Sequence, residues 1–253
     1  MPGSCIGDLK PMKVLIGVIT CHKHSAFQQA IRNTWLPHTP KEVDVRFFSG
    51  RGAKREPRED EVFLENAGDE YLDLPEKVKA MFTWAYEHGY DFAMKLDNDV
   101  VLKPQEWYNG FYRDDFSGYG DVNVKNGEIK TPWGFAYVLS RKAMELIVNA
   151  PLPGQPGSMW STSHSNDEAF VSSVLHWNGI YLHNDSRYVL FRGKPTERDL
   201  SKVHRPLRRP RPMEKECQAG AFATCIYLNW NGFHMTPDEE ILREFHRVFS
   251  EGK

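Results

Sequence analysis

Apolar and polar positions along the first hundred residues switch between two periods. Residues 13–20 (Lys-Val-Leu-Ile-Gly-Val-Ile-Thr) form a short, almost unbroken apolar run, the pattern of a strand buried on both faces. Ser25 then opens a helix with Gln28 three residues later, as in a capping box. Phe27, Ile31 and Trp35 make its stripe at spacing four, and Pro37 stops it. Residues 43–49 read as a second strand closed by Gly50, and residues 51–60 as a charged, turn-rich surface loop. Pro75 starts a second helix with Val78, Met81, Phe82 and Ala85 on its inner face and Gly89 as its C-terminal cap. That helix leads straight into a strand in which Phe92, Met94 and Leu96 alternate with their neighbours. Strand, helix, strand, helix, strand in this order predicts an α/β fold, a mostly parallel Rossmann-type sheet with helices on both faces. Ligands then belong at the carboxyl ends of the strands.

The second half is less regular. Residues 133–139 read as a strand, and Ser140 caps a helix with Met144, Ile147 and Val148 inward. Residues 151–157 form a Pro- and Gly-rich loop, and Asn166-Asp167-Glu168 opens a helix carrying Phe170, Val171, Val174 and Leu175 and ending at Gly179. Residues 180–182 and 188–191 are predicted as short strands. Residues 192–215 are rich in Arg and Pro without apolar periodicity and read as a mobile loop; a final helix follows from Thr236.

The length of 253 residues with 40% hydrophobic content suits one sizeable core, taken as a single domain over residues 1–253. A formal net charge of -2 gives no field that would recruit nucleic acid, so no nucleic-acid partner is expected. The apolar run at 14–19 is too short for a signal core or a membrane span, and the expectation is a cytoplasmic protein without a membrane anchor. Cys5, Cys21, Cys217 and Cys225 have no Cys-x-x-Cys spacing, which argues against a structural zinc site; free thiols are the default in that setting, with one Cys217–Cys225 bridge as the alternative.

The strand from Phe92 ends in two carboxylates, Asp97 and Asp99, spaced by Asn98 and followed by the apolar Val100-Val101-Leu102. Carboxylates at the end of a buried strand need a cation or a set of donors to meet them. Oxygen ligands select a hard ion such as Mg²⁺ or Mn²⁺, which keeps positions open for water and substrate phosphates. A solvated turn is the alternative, because Asp and Asn are ordinary turn residues. Thr20, His22 and Arg32 lie at the end of the first strand and in the first helix, where a nucleotide and its diphosphate would sit; Arg32 is equally suited to an ion pair with Asp or Glu.

Several blocks in order resemble one family: Ala30-Ile31-Arg32-Asn33-Thr34-Trp35, Glu61-Val62-Phe63-Leu64 with Asp73-Leu74-Pro75-Glu76-Lys77-Val78-Lys79, Lys95-Leu96-Asp97-Asn98-Asp99-Val100, Gly134-Phe135-Ala136-Tyr137-Val138-Leu139-Ser140, and Asp167-Glu168-Ala169-Phe170-Val171. Together they resemble the inverting β-1,3-galactosyltransferases and Fringe-type glycosyltransferases, over residues 13–188. The resemblance implies a GT-A fold, a UDP-sugar donor, a glycan acceptor, a Mn²⁺ (or Mg²⁺) ion, and transfer with inversion at the anomeric carbon. It divides the chain into a nucleotide-sugar half (12–110, with Thr20, His22, Arg32, Lys95, Asp97 and Asn98 at the donor) and an acceptor and base half (111–253). It puts Asp99, with Asp97, on the metal and Glu168 in the place of the catalytic Asp. Asp167 is the rival for that role, and a bare helix cap by Asn166 and Asp167 is the non-catalytic alternative. A late His completes the family's metal site: His183 is the first candidate and His204 the second. Trp133 and Trp160 are candidates to stack on sugar.

Overall fold

The computed structural model describes residues 12–120, 132, 134–158, 166–185, 187–192 and 223–227. Its first half is built from strand β1 (Val14–Ile19), helix α1 (Ser25–Asn33), β2 (Val43–Gly50), β3 (Glu61–Leu64), α2 (Leu74–Glu87) and β4 (Phe92–Asp97). Short elements follow: β5 (Val100–Leu102), α3 (Pro104–Gly110) and β6 (Phe116–Gly118). Then come β7 (Ala136–Ser140), α4 (Arg141–Asn149), α5 (Asp167–Trp177), β8 (His183–Asn184), β9 (Tyr188–Arg192) and β10 (Ala223–Tyr227).

Seven strands form one sheet in the order β3-β2-β1-β4-β7-β6-β8. The run β3-β2-β1-β4 is parallel, β7 is antiparallel to both β4 and β6, and β8 pairs parallel with β6. The expected α/β sheet, mostly parallel with helices on both faces, is therefore the one observed. Strand alternation assigns the faces. Val14, Ile16, Val18, Met94 and Leu96 pack with Phe27, Ile31 and Trp107 from α1 and α3. Leu15, Ile19 and Ala93 pack with Val78, Met81, Met144, Val171 and Leu175 from α2, α4 and α5. Met94 and Leu96 are wholly buried, and each such side chain contributes about 1.5–3 kcal/mol. Gly17 sits where α2 presses closest: a Cβ there would lie 2.3 Å from the Met81 sulfur.

Three details correct the sequence reading. Gln28 does not cap α1; its amide turns inward and donates to the Thr20 hydroxyl at 3.4 Å, and the residue before the helix, His24, makes no side-chain cap bond. The strand predicted at 133–139 begins at Ala136, and the one predicted at 180–182 forms at His183–Asn184, where β6 offers an edge. Helix α3 and strand β6 escaped the reading, being too short to show a period. Other expectations hold. Pro75 lies in the first turn of α2, Gly89 and Gly179 take φ of 75° and 73° after their helices, and the Ser140 hydroxyl accepts from the Ala143 amide at 3.3 Å. Among the described residues no helix is long and apolar enough to cross a membrane.

The chain leaves the large sheet at Asp97 and enters a second one at Val100, after two intervening residues. β5 pairs antiparallel with β10, which pairs parallel with β9. Asn98 and Asp99 are thus the joint between two sheets, and the Trp35 indole fixes its far side by donating to the Val100 carbonyl at 3.2 Å.

Candidate active site

Strand order reverses between β1 and β4, so a crevice opens at their carboxyl ends, where Ile19 is in register with Asp97. Alternation along β4 sends Ala93, Lys95 and Asp97 toward the face covered by α2, α4 and α5. Lys95 is fully buried there, yet its ammonium meets three oxygens. It donates to Asp97 Oδ1 at 2.6 Å and to the Gly134 carbonyl, and stands 3.5 Å from Asp167 Oδ2 in the first turn of α5. Burial by itself would lower the Lys95 pKa; the Asp167 and Asp97 carboxylates outweigh it and hold the ammonium well above its ordinary range.

Tyr137, from β7 beside β4, donates its hydroxyl to Asp167 Oδ2 at 2.8 Å. Burial first and Asp167 second raise its pKa well above the usual value, so it stays a donor. Asp167 is itself 2% exposed, with both neighbours engaged. Glu168 differs: it is only partly buried, and its carboxylate lies so near Gly134 that a Cβ there would come within 3.0 Å of Oε2. Burial, then the Asp167 charge, push the Glu168 carboxyl up to about 8 against the pull of Lys95. Asn166, at the N-cap position, makes no side-chain cap bond, and the Asp167 carboxylate is taken by Tyr137 and Lys95, so these two are not a bare helix cap.

Of the residues expected at the nucleotide, Thr20 and Asn98 are joined to each other at the crevice, as Lys95 and Asp97 are, while His22 and Arg32 bond elsewhere. Asn98 donates from Nδ2 to the Thr20 hydroxyl at 2.9 Å and to His24 Nδ1 at 3.1 Å. Burial lowers the His24 pKa, which keeps that ring neutral and able to accept. The His22 ring bonds the Gly50 carbonyl at 2.8 Å. Arg32 turns away from the crevice into an ion pair, reaching Asp60 at 2.7 and 2.9 Å and Glu61 at 3.0 Å; of its two readings, the geometry takes the structural one.

One residue that sequence reasoning missed organises this edge. Asp69 accepts from the His22 amide (2.8 Å), the Gly50 amide (2.7 Å) and Lys77 Nζ (2.8 Å), and Lys77 also donates to the Thr20 carbonyl at 3.0 Å. A buried Lys in the inner stripe of α2, with an Asp eight residues earlier, was the signal that could have found it.

Asp97 keeps 35% of its side chain open to solvent, while Asp99 is buried. Among the described residues no cluster of three His, Cys, Asp or Glu side chains could hold a metal by protein ligands alone. One or two carboxylates completed by water and substrate phosphates is the way Mg²⁺-type ions are usually bound, and Asp97 with Asp99 fits that donor set. His183 does not join them. It lies in the row of Ser117, Val138 and Met94, three strand spacings or about 14 Å across the sheet from β4 and about 10 Å below Asp97 along the strand. Its ring pairs instead with Asp114 at 2.5 Å and stacks on Tyr112. His204, Trp133, Trp160, Cys217, the loop expected over 192–215 beyond Arg192, and the helix from Thr236 lie outside the described residues.

No protein-family model matches the chain. It is 29% identical over 120 residues to the probable β-1,3-galactosyltransferase 13 of Arabidopsis thaliana, an alignment covering 39% of this chain and 35% of that protein. The chain therefore spans about a third of the length of this curated relative. Among solved structures, the galactosyltransferase LgtC in complex with donor and acceptor sugar analogs is 11% identical with a TM-score of 0.46, over 93% of this chain and 95% of that one. The apo-form glycosyltransferase GlyE of Streptococcus pneumoniae is 8% identical with a TM-score of 0.45, over 95% and 62%. Over part of its length, then, the chain is similar to a β-1,3-galactosyltransferase, as the ordered sequence blocks implied.

Proposed function

We propose that this chain is a metal-dependent inverting glycosyltransferase that moves a sugar from a UDP-sugar to a hydroxyl of a glycan acceptor, forming a β-linkage. The carrying observation is that Asp97 at the end of β4 and Asp167 at the start of α5 meet at the single ammonium of Lys95, each with a second acidic residue, Asp99 and Glu168, close by in the chain.

Inversion in one displacement needs one group that takes the acceptor proton. Glu168 suits that role: it is reachable and has a raised pKa, whereas Asp167 is buried and engaged. The acceptor oxygen gives its proton to the Glu168 carboxylate as it bonds the anomeric carbon, and the bond from that carbon to the diphosphate oxygen breaks, releasing UDP. A divalent ion held by Asp97 and Asp99 would neutralise the leaving diphosphate. Lys95 and Tyr137 hold Asp167, and through it the first turn of α5, so Glu168 is presented from a rigid element.

Purified protein with Mn²⁺ and a panel of UDP-sugars should release UDP and free sugar from at least one of them. UDP binding without release from any would leave a nucleotide-binding protein and end the enzyme reading.

A further inference from the structure

The described surface carries few exposed large apolar side chains, and two of them adjoin the crevice: Tyr71 at 65% and Leu72 at 74% exposure. They form a short helical turn, residues 71–73, immediately before α2. Helix α2 follows the parallel strand β3, so its N-terminus lies at the carboxyl edge of the sheet, the edge where α5 begins with Asp167 and Glu168. The two helices belong to one packed face, through Val78 and Met81 on one side and Phe170 and Val171 on the other.

The turn is built to hold its shape. Glu70 and Asp73 cap it reciprocally, with the Glu70 amide donating to Asp73 Oδ2 at 3.0 Å. Lys23 reaches Glu70 at 2.7 Å, and the Gly68 amide donates to Glu76 at 3.0 Å. Asp73 lies so close to Gly68 that a Cβ there would be 2.0 Å from its carboxylate. One residue before Glu70, Asp69 ties the segment to the ends of β1 and β2. None of these bonds requires an exposed aromatic ring at 71. Through Asp69 and Lys77, which also donates to the Thr20 carbonyl, the turn is fastened to the crevice edge where Asn98 meets Thr20; burial, followed by the charges of Glu168, Asp167 and Asp97, raises the Tyr71 phenol.

We propose that Tyr71 is the sugar-stacking platform of the acceptor side, its ring lying against one face of the acceptor pyranose whose hydroxyl is presented to Glu168. This rests on the glycosyltransferase reading above. The occupant is the acceptor and not the donor nucleotide because the turn stands at the sheet edge where α5 begins with Glu168, and the apolar face of a pyranose suits a solvent-exposed aromatic ring with a polar tip. Leu72 extends the same lip.

Two measurements test this. Saturation-transfer NMR of the protein with methyl β-galactoside, methyl β-glucoside and methyl N-acetyl-β-glucosaminide should show transfer to the ring protons of one of them. The signal should survive Tyr71→Phe and Tyr71→Trp and fall at least about fivefold in Tyr71→Ala, in line with the modest energy of aromatic stacking. In transfer assays, Tyr71→Ala should raise the acceptor KM about tenfold with a smaller change in kcat, and Tyr71→Phe should restore it. Tyr181→Ala, which removes an equally exposed aromatic outside the crevice, should change neither. Equal saturation transfer in wild type and Tyr71→Ala, or none to any pyranoside in wild type, overturns the platform. Failure of all donor hydrolysis with pyranoside binding retained would instead strike the enzyme reading.

Discussion

The Tyr137 hydroxyl donates to Asp167 at 2.8 Å, joining the middle of a buried strand to the first turn of a helix thirty residues further along. That bond, with Lys95 on the same carboxylate oxygen, sorts two adjacent acidic residues into different jobs. Asp167 is held inside, and Glu168 is left to face the crevice.

The first prediction follows from that division. Glu168→Gln keeps shape and removes proton acceptance, so transfer should fall by the ~10²–10⁴ that a positioned base supplies. Donor binding should barely change. Tyr137→Phe should reduce transfer much less and lower stability by about 0.5–1.5 kcal/mol, the usual net worth of one hydrogen bond. Steady-state kinetics beside urea denaturation separates the two effects. A larger rate loss in Asp167→Asn than in Glu168→Gln would reverse the assignment.

The pH dependence carries two signs. A base works ionised, so transfer should rise as pH climbs through about 8, where burial and Asp167 place the Glu168 carboxyl. Stability moves the other way. The folded value lies above the ordinary 4.5, so the Glu168 contribution is whole below about 4.5 and is lost as pH rises through about 8. Glu61 is the opposite case. Its burial is outweighed by Arg55, the Arg58 amide and Arg32, which hold it at about 2. Its contribution is present above 4.5 and lost as pH falls toward 2. Urea midpoints across the pH range should lose the neutral-side slope in Glu168→Gln and the acid-side slope in Glu61→Gln.

Lys95→Met tests the shared cation. The substitution leaves the Asp97 and Asp167 carboxylates without their buried partner, and breaking such a pair costs about 3–5 kcal/mol. Thermal denaturation should show a large drop. A stability within 1 kcal/mol of wild type, on the order of a surface substitution, would mean that the carboxylates find other partners.

Asp99→Ala should abolish Mn²⁺-dependent UDP binding while the fold persists, measured by calorimetry of UDP with and without the ion. Retained Mn²⁺ dependence would remove Asp99 from the metal site. Asn98→Asp should weaken the crevice wall more than the donor site, because its amide donates to Thr20 and His24.

Local periodicity determined the architecture. The apolar runs at 13–20 and 92–96, the stripe of Phe27 and Ile31, and the Pro75 start and Gly89 end of α2 each report burial or backbone geometry that neighbouring residues dictate, and each stands where the pattern put it. The strand-end position of Asp97 and the helix-start position of Asp167 and Glu168 were legible for the same reason. Only the tertiary structure decided how these ends meet. That Lys95 bridges Asp97 and Asp167, that Tyr137 completes the set, and that Asp69 clamps two strand ends all depend on sheet order and register, which link residues tens of positions apart. The same register kept His183 from the carboxylates: its chemistry suited a metal, but β8 lies three strands away from β4. Arg32 likewise had the chemistry for a diphosphate, and the approach of Asp60 and Glu61 at the start of β3 gave it an ion pair instead. A sequence names which groups a chain owns; the long-range pairing of strands decides which of them share a site.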